Sequence, residues 1–249
     1  MLYTEKKCVY CSWGTDPEFF VEDKNGKVIS PHHLTSGTKK EPERIPYTNG
    51  WSCQIDGMAL EFNSPVYHSF NVLVGEVRSF LRSATLAEFL AKRNGGEQVN
   101  LSSKICHTFD EDVWASAPDS SKELGCNPDF DAYTGEMNPK PAPANERFRT
   151  VSGHIAIGWI NDNPSGDITR EHFEVCRHLV RDFVSLGYLD KLTDVSKLEQ
   201  ENTRRSLYGQ PGAFRPKPFG VEWRAPSNYW CRSPDIGRKV FHDYLNKGI

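Results

Sequence analysis

Pro17-Glu18-Phe19-Phe20-Val21-Glu22-Asp23-Lys24-Asn25-Gly26-Lys27-Val28-Ile29 is two short β-prone runs around an Asn-Gly pair. This signals a two-stranded antiparallel hairpin, because a tight hairpin turn selects residues that tolerate positive φ. Outward from it, a second strand is expected over 58–63, between Asp56-Gly57 and Pro65, with others over 151–159 and 220–224. Phe70, Leu73, Val74, Val77 and Leu81 recur at helical spacing. Thr85 with Glu88 reads as a capping box opening a helix over 86–93, which Gly95-Gly96 stops. Phe173, Cys176, Leu179, Val180, Phe183 and Val184 mark a helix ending near Gly187, and another is expected over 195–207. The stretch 97–123 shows no clear period. Strands and helices mix without a βαβ rhythm, so the expected class is α+β on an antiparallel or mixed sheet.

The 249 residues, 37% hydrophobic and 25% charged, allow one large domain or two small ones around a real core. No window approaches the roughly 18 apolar residues of a membrane span, and the start, MLYTEKKCVYC, lacks a signal peptide's apolar region, so a cytoplasmic location is expected. Thirty basic against thirty-three acidic residues give a net charge of -3. Without a global basic field, nucleic acid is not an expected partner, and any anion site must be local. Seven scattered cysteines fit free thiols better than a disulfide framework. Asn138-Pro139-Lys140-Pro141-Ala142-Pro143-Ala144-Asn145 favours an extended connection, either a domain boundary or an active-site loop. Strand-like segments of matching chemistry on both sides favour a loop within one domain, 1–249.

The most informative feature is an acid flanked by large apolar residues, met four times. Trp13-Gly14-Thr15-Asp16-Pro17-Glu18-Phe19 resembles Leu124-Gly125-Cys126-Asn127-Pro128-Asp129-Phe130, and Ala59-Leu60-Glu61-Phe62-Asn63-Ser64-Pro65 resembles Gly220-Val221-Glu222-Trp223-Arg224-Ala225-Pro226. A lone carboxylate in a buried strand costs several kcal/mol unless it is paired or holds a metal. Period-2 geometry points Asp16, Glu18 and Phe20 one way, Ala59, Glu61 and Asn63 together, and Glu222 and Arg224 away from Val221 and Trp223. The acids can converge on one sheet face. The alternative is that each lies on the solvated side of a half-exposed strand.

In Ser152-Gly153-His154-Ile155-Ala156-Ile157-Gly158, His154 shares a face with Ala156 and Gly158, leaving room for a ligand. A histidine there suits metal or phosphate, or is a hydrogen-bonded structural residue. The segment 204–218 supplies Arg204, Arg205, Arg215 and Lys217 around glycine and proline turns, a local cluster able to clamp a polyphosphate. P-loop, dinucleotide, HExxH and GxSxG signatures are absent. Cys8-x-x-Cys11 has no second pair, which favours chance spacing over zinc, and His32-His33 reads as ordinary loop.

Gly14-Thr15-Asp16-Pro17-Glu18-Phe19-Phe20, Asp56-Gly57-Met58-Ala59-Leu60-Glu61-Phe62-Asn63, Gly125-Cys126-Asn127-Pro128-Asp129-Phe130, Gly153-His154-Ile155-Ala156-Ile157-Gly158 and 208–224, in this order, resemble the phage-encoded carboxylate-amine ligases of type 2, of the glutamine synthetase-like superfamily. The resemblance covers about 12–230. It implies a curved, largely antiparallel sheet of glutamine synthetase and glutamate-cysteine ligase type, with helices on the convex face and ATP and Mg2+ or Mn2+ on the concave face, in a host cytoplasm if phage-encoded. It further implies Glu18, Glu61 and Glu222 as metal ligands, His154 beside metal or phosphate, and Arg215, Lys217 and Arg224 as phosphate contacts; Arg205, from the cationic cluster, is a further candidate for the nucleotide. The family's second strand histidine is replaced by Ala156. In such a reaction the carboxylate is activated as an acyl phosphate, metal and arginines offset the developing charge, and an acid accepts the amine's proton. Asp56 and Asp129 are candidates for that acid, although Asp56 before a glycine also suits a turn cap. The expected activity is therefore an ATP-dependent carboxylate-amine ligase acting on acid and amine substrates. A guanidino or carboxyl phosphotransferase, and a binding protein descended from a ligase, are the alternatives.

Overall fold

A computed structural model of the chain describes residues 11–124, 129–159 and 166–233. Its main sheet has eight strands in the order β4 (Glu43–Arg44), β5 (Ser52–Asp56), β6 (Ala59–Asn63), β1 (Ser12–Phe19), β11 (Gly153–Gly158), β13 (Gly220–Trp223), β12 (Ala213–Lys217) and β9 (Phe130–Asp131). Every neighbouring pair is antiparallel. The expected mixed α and β class with a large antiparallel sheet is therefore observed. The proline-rich stretch lies between β9 and β10 (Phe148–Thr150), and strands from both sides of it join this sheet. Two small sheets complete the set: β10 with β8 (Cys106–Thr108), and β3 (Val28–Ile29), β2 (Val21–Glu22) and β7 (Asn100–Leu101).

Strand alternation decides which side is covered. In β1 the buried positions are Trp13, Thr15, Pro17 and Phe19, and Asp16 and Glu18 alternate with them. The face carrying Trp13, Phe19, Leu60, Phe62, Ile155, Ile157, Phe214, Val221 and Trp223 packs against α1 (Phe70–Leu81), α2 (Ala84–Arg93), α5 (Arg170–Ser185) and α6 (Tyr188–Lys191) in one apolar cluster. Phe70 meets Trp13 edge-on at 5.1 Å between ring centroids, and Phe183 packs on Trp223 at 5.4 Å. Each fully buried side chain of this size contributes about 1.5–3 kcal/mol, so sheet contact holds these helices more than their own propensity does.

The Asn25-Gly26 hairpin forms as expected, with Val21 opposite Ile29 and Gly26 at φ 80°. It pairs with β7 rather than with the main sheet, because the chain breaks step at Phe20, which turns into a second apolar cluster with Met58, Phe109 and Val151. Four further expectations are corrected. β1 starts at Ser12, five residues before the expected hairpin. α2 is capped by Ser83, whose Oγ accepts from the Leu86 amide at 3.1 Å, so Thr85 lies inside the helix and not at its cap. The cationic approach to β13 is itself strand β12, with Pro216 opposite Val221. The expected helix over 195–207 is a 3-10 turn, Val195–Lys197, followed by α7 (Leu198–Leu207). The unreadable stretch 97–123 holds β7, β8 and the short helices α3 (Glu111–Ser116) and α4 (Asp119–Lys122). Among the described residues no helix is long and apolar enough to cross a membrane.

Candidate functional site

The uncovered face of the main sheet is polar, and register assembles it. Asp16 stands opposite His154, Glu18 opposite Glu61, and Gln54 opposite Glu61; across the other strands, Ala156 and Arg215 both face Glu222. Partners in an antiparallel pair project to the same side. Glu18, Glu61 and Glu222, 204 positions apart at the extremes, thus line one cavity of about 760 Å3. Asp16, Lys39, Asp56, His154, Arg215, Lys217 and Arg224 line the same cavity.

The acids divide into two groups. Glu18, Asp56 and Glu61 bring one carboxylate oxygen each within 4.8 Å of one another; Asp16, His154 and Glu222 do the same. The expected ligands Glu18, Glu61 and Glu222 thus fall in two neighbouring groups, Glu222 lying with Asp16 and His154 because β1 and β11 separate its strand from β6. Glu18 Oε2 accepts from the Ser152 amide at 2.9 Å and Glu61 Oε1 from Gln54 Nε2 at 2.7 Å. Lys39 Nζ, from the loop before β4, lies 2.7 Å from Asp56 Oδ1. Burial, then the charges of Asp56 and Asp16, push the Glu18 carboxyl up to about 8. Burial and the charges of Asp16, Asp56 and Glu18 push Glu61 well above the usual carboxylate range. Burial also raises Asp16 to about 6, against the pull of Arg224 and Lys217. Burial opposes charge on Lys39, yet Asp56, Glu61 and Glu18 outweigh it and raise its pKa.

The second group is compensated from within. Glu222 meets Lys217 Nζ at 2.6 Å and Arg215 Nη1 at 3.3 Å, and its Oε1 also accepts from Arg224 Nη1. His154, 2% exposed, has its Nδ1 3.2 Å from Asp16 Oδ1 and 3.7 Å from Glu222 Oε1. Neither ring nitrogen makes a hydrogen bond. Burial and then Arg224 push its pKa well below 6.5, keeping the ring neutral. The donor sets therefore differ in what they fit. Three carboxylates facing one ammonium suit a divalent ion, and a neutral imidazole beside a carboxylate suits one as well, whereas Glu222 already has three cations.

Asp129 is placed outside the main cavity, in a smaller one behind Arg224, whose Nε reaches its Oδ2 at 3.3 Å. Arg205, grouped with the nucleotide contacts, lies apart on α7, donating to Thr193 Oγ1 and 3.9 Å from Glu201 Oε2. Its neighbour Arg204 is wholly buried and donates to the carbonyls of Val151 at 2.9 Å and Ala225 at 2.7 Å and to Ser152 Oγ at 2.8 Å, a structural tie between α7 and the ends of β11 and β13. His32 bridges Ser30 Oγ and Ser121 Oγ, each at 2.7 Å, and His33 meets Asn94 Oδ1 at 2.8 Å, so both have ordinary loop partners. Cys8 and the motif residues 125–128 lie outside the described residues. Sequence reasoning noted the direction of Asp16 without giving it a role, and it missed Gln54, Lys39 and Tyr208. The first two of these lie in segments without a readable period, β5 and the loop before β4; the period of β1 made Asp16 visible.

Comparison with protein-family models, with curated proteins and with solved structures finds no match for this chain.

Proposed function

We propose that the protein is an ATP-dependent carboxylate-amine ligase with a glutamine synthetase-like sheet, forming an amide or isopeptide bond through an acyl phosphate. One observation carries the reading: an acid cluster held by a single ammonium lies beside a row of three cations on one sheet face, inside one cavity. Phosphoryl transfer requires that juxtaposition, cation-holding carboxylates next to arginine or lysine, because the protein's part is to position phosphates and offset charge. The cavity volume falls in the range of small-molecule sites, about 300–1,000 Å3.

Glu18, Asp56 and Glu61 would hold a divalent ion, with Asp16 and His154 offering a second position. Such an ion supplies charge neutralisation at phosphate oxygens and a template for them. Gln54 fixes the Glu61 carboxylate and the Ser152 amide fixes that of Glu18, so both acids are oriented before any ligand arrives. Arg215 and Lys217 from β12, and Arg224 from the end of β13, would offset charge on the phosphate oxygens, with Asp129 orienting the Arg224 guanidinium. Neutral His154 supplies an electron pair without adding positive charge.

A second reading, a binding protein descended from a ligase, is favoured by Ala156, which faces Glu222 where a second histidine would stand. Incubation with ATP, Mg2+ and panels of acids and amines separates the two. ADP release with an acid-amine adduct in the mass spectrum supports the ligase; ATP bound without turnover across the panels supports the binding protein.

A further inference from the structure

Three side chains with no part in the proposed ligase chemistry form one hydrogen-bonded chain at the wall of the main cavity. His32 Nδ1 lies 2.7 Å from Ser30 Oγ, and His32 Nε2 lies 2.7 Å from Ser121 Oγ. The two ends come from distant parts of the sequence: Ser30 and His32 follow β3, and Ser121 is on α4, 89 positions beyond His32. A tie between loops accounts for the distances alone, but the surroundings add more. His32 and Ser121 line the cavity of about 760 Å3, as do Gly57, Pro118 and Arg149. α4 packs on the Asp56-Gly57 turn so closely that a methyl group on Gly57 would stand 3.5 Å from the Ser121 carbonyl oxygen, which fixes the serine in place. Burial, then the neighbouring His33, lowers the His32 pKa from its usual 6.5 against the pull of the Gly57 carbonyl, so the ring is neutral near pH 7. A neutral imidazole has one proton and one lone pair. With the proton on Nδ1, the ring donates to Ser30 Oγ and Nε2 accepts from Ser121 Oγ. Arg149, 7% exposed, donates to the carbonyl of Lys122, the residue after Ser121, and to those of Glu146 at 2.7 Å and Phe148 at 2.8 Å. These partners are carbonyls and not carboxylates, so the guanidinium keeps its charge one residue from the serine. A hydroxyl, a base within hydrogen-bond reach and a third group orienting that base are the parts that activate a serine as a nucleophile.

We propose that Ser121 is an acyl-accepting nucleophile, with His32 as its base and Ser30 as a positioning residue, giving the main cavity a hydrolytic activity toward esters or amides that uses no nucleotide. This activity does not rest on the ligase reading. His32 Nε2 takes the Ser121 proton as Oγ bonds to the acyl carbon of the substrate, and Arg149 offsets the charge gathering on the carbonyl oxygen. The bond from the acyl carbon to the leaving oxygen or nitrogen breaks, and that atom departs with the electron pair and takes the proton from His32. Water then gives a proton to His32 as its oxygen bonds to the acyl carbon. The ester to Ser121 breaks, the acid is released, and Oγ recovers its proton from His32.

The test is labelling of the full chain, in EDTA and without ATP, by an alkyl fluorophosphonate, which exchanges its fluoride for a serine oxygen, followed by peptide mapping. Hydrolysis of p-nitrophenyl butyrate is the turnover arm. The expected result is a single adduct on Ser121, absent from the heat-unfolded chain, with ester hydrolysis lost in Ser121→Ala. His32→Gln, shown to be folded by its melting curve, should label at least a hundredfold more slowly, within the roughly 10²–10⁴-fold that a general base contributes. Ser30→Ala should slow labelling at an unchanged melting temperature, and Ser30→Thr should restore it. An adduct on Ser120 or elsewhere, labelling of the native chain no faster than of the unfolded one, hydrolysis no faster than in Ser121→Ala, or an undiminished rate in folded His32→Gln overturns the proposal. Mapping the adduct on the parent decides the matter even where a variant fails to fold. With ATP and divalent ions absent throughout, failure here leaves the ligase reading standing, and failure of that reading leaves the serine site standing.

Discussion

Glu18 on β1 and Glu61 on β6 stand directly opposite each other across an antiparallel pair, on the same face, with both carboxyls pushed up and Glu18 reaching about 8. Like charges placed opposite one another in a sheet are destabilising, and burial sharpens the repulsion. The pair is comfortable when protonated or when a cation lies between its members.

Without divalent ions, the pair makes stability fall as pH rises. The folded-state pKa of Glu18, about 8, lies above its usual 4.5, so its contribution is fully present below about 4.5 and is lost as pH rises through about 8. Glu61 acts in the same sense, and Asp16 does so between its usual 3.8 and about 6. His154 opposes them, because its depressed pKa removes stability as pH falls below 6.5. Glu18→Gln isolates the first effect: its melting temperature should match the parent near pH 4 and exceed it near pH 9, by about 2–4 °C for each kcal/mol relieved. Parallel melting-temperature profiles for parent and variant would refute the argument.

Added Mg2+ or Mn2+ should raise the parent's melting temperature by mass action, by the equivalent of about 2.7 kcal/mol at a hundred times the dissociation constant. Protons compete for the same oxygens, so the rise should be larger near pH 8 than near pH 5.5. Glu18→Gln, Asp56→Asn and Glu61→Gln should each diminish it. A shift that survives all three places the ion elsewhere.

Arg204 and Arg205 are neighbours in sequence with opposite expectations. Arg204→Met strands the carbonyls of Val151 and Ala225 and the Ser152 hydroxyl in the interior, at about 1–3 kcal/mol each, and should unfold the protein or lower its melting point by more than 10 °C. Arg205→Met should change both stability and nucleotide affinity little. Thermal melts with MgATP titration check both, and a large loss of MgATP affinity in folded Arg205→Met would restore that residue to the site.

Replacing Arg224 should cost folding as well as activity, contrary to what its place in a cationic stretch suggests. It is buried between Glu222 and Asp129, and breaking such a pair costs about 3–5 kcal/mol. Arg224→Lys, which keeps the charge, is the cleaner probe. It should melt within a few degrees of the parent yet lose ATP turnover, up to the roughly 10³–10⁵-fold seen for arginines acting on phosphoryl transfer. Unchanged turnover would remove Arg224 from the reaction.

Ala156→His tests the second reading of the site. The new ring would project beside Glu222, where neighbouring Gly14 leaves room. At least tenfold tighter Mn2+ binding, read by calorimetry, is expected if this strand once carried a second ligand; no change would separate the strand from metal binding.

Much of this was written in the sequence. Alternation along β1, β6, β11 and β13 put Asp16, Glu18, Glu61, His154 and Glu222 on the sides they occupy, because a strand's side-chain period is two whatever it pairs with. The spacing of Phe70, Leu73, Val74 and Val77 likewise marked the buried face of α1. Strand neighbours were a different matter. Nothing local says that β1 sits between β6 and β11, and that choice splits the acids into two groups and sets Glu222 among Lys217, Arg215 and Arg224. Lys39 reaches Asp56 from a loop without period, and Asp129 fell behind Arg224 instead of into the main cavity. Which face a side chain takes follows from the backbone's own geometry, so sequence determined it. Which charges meet depends on strand order and loop paths fixed by long-range packing, so only the tertiary structure decided that.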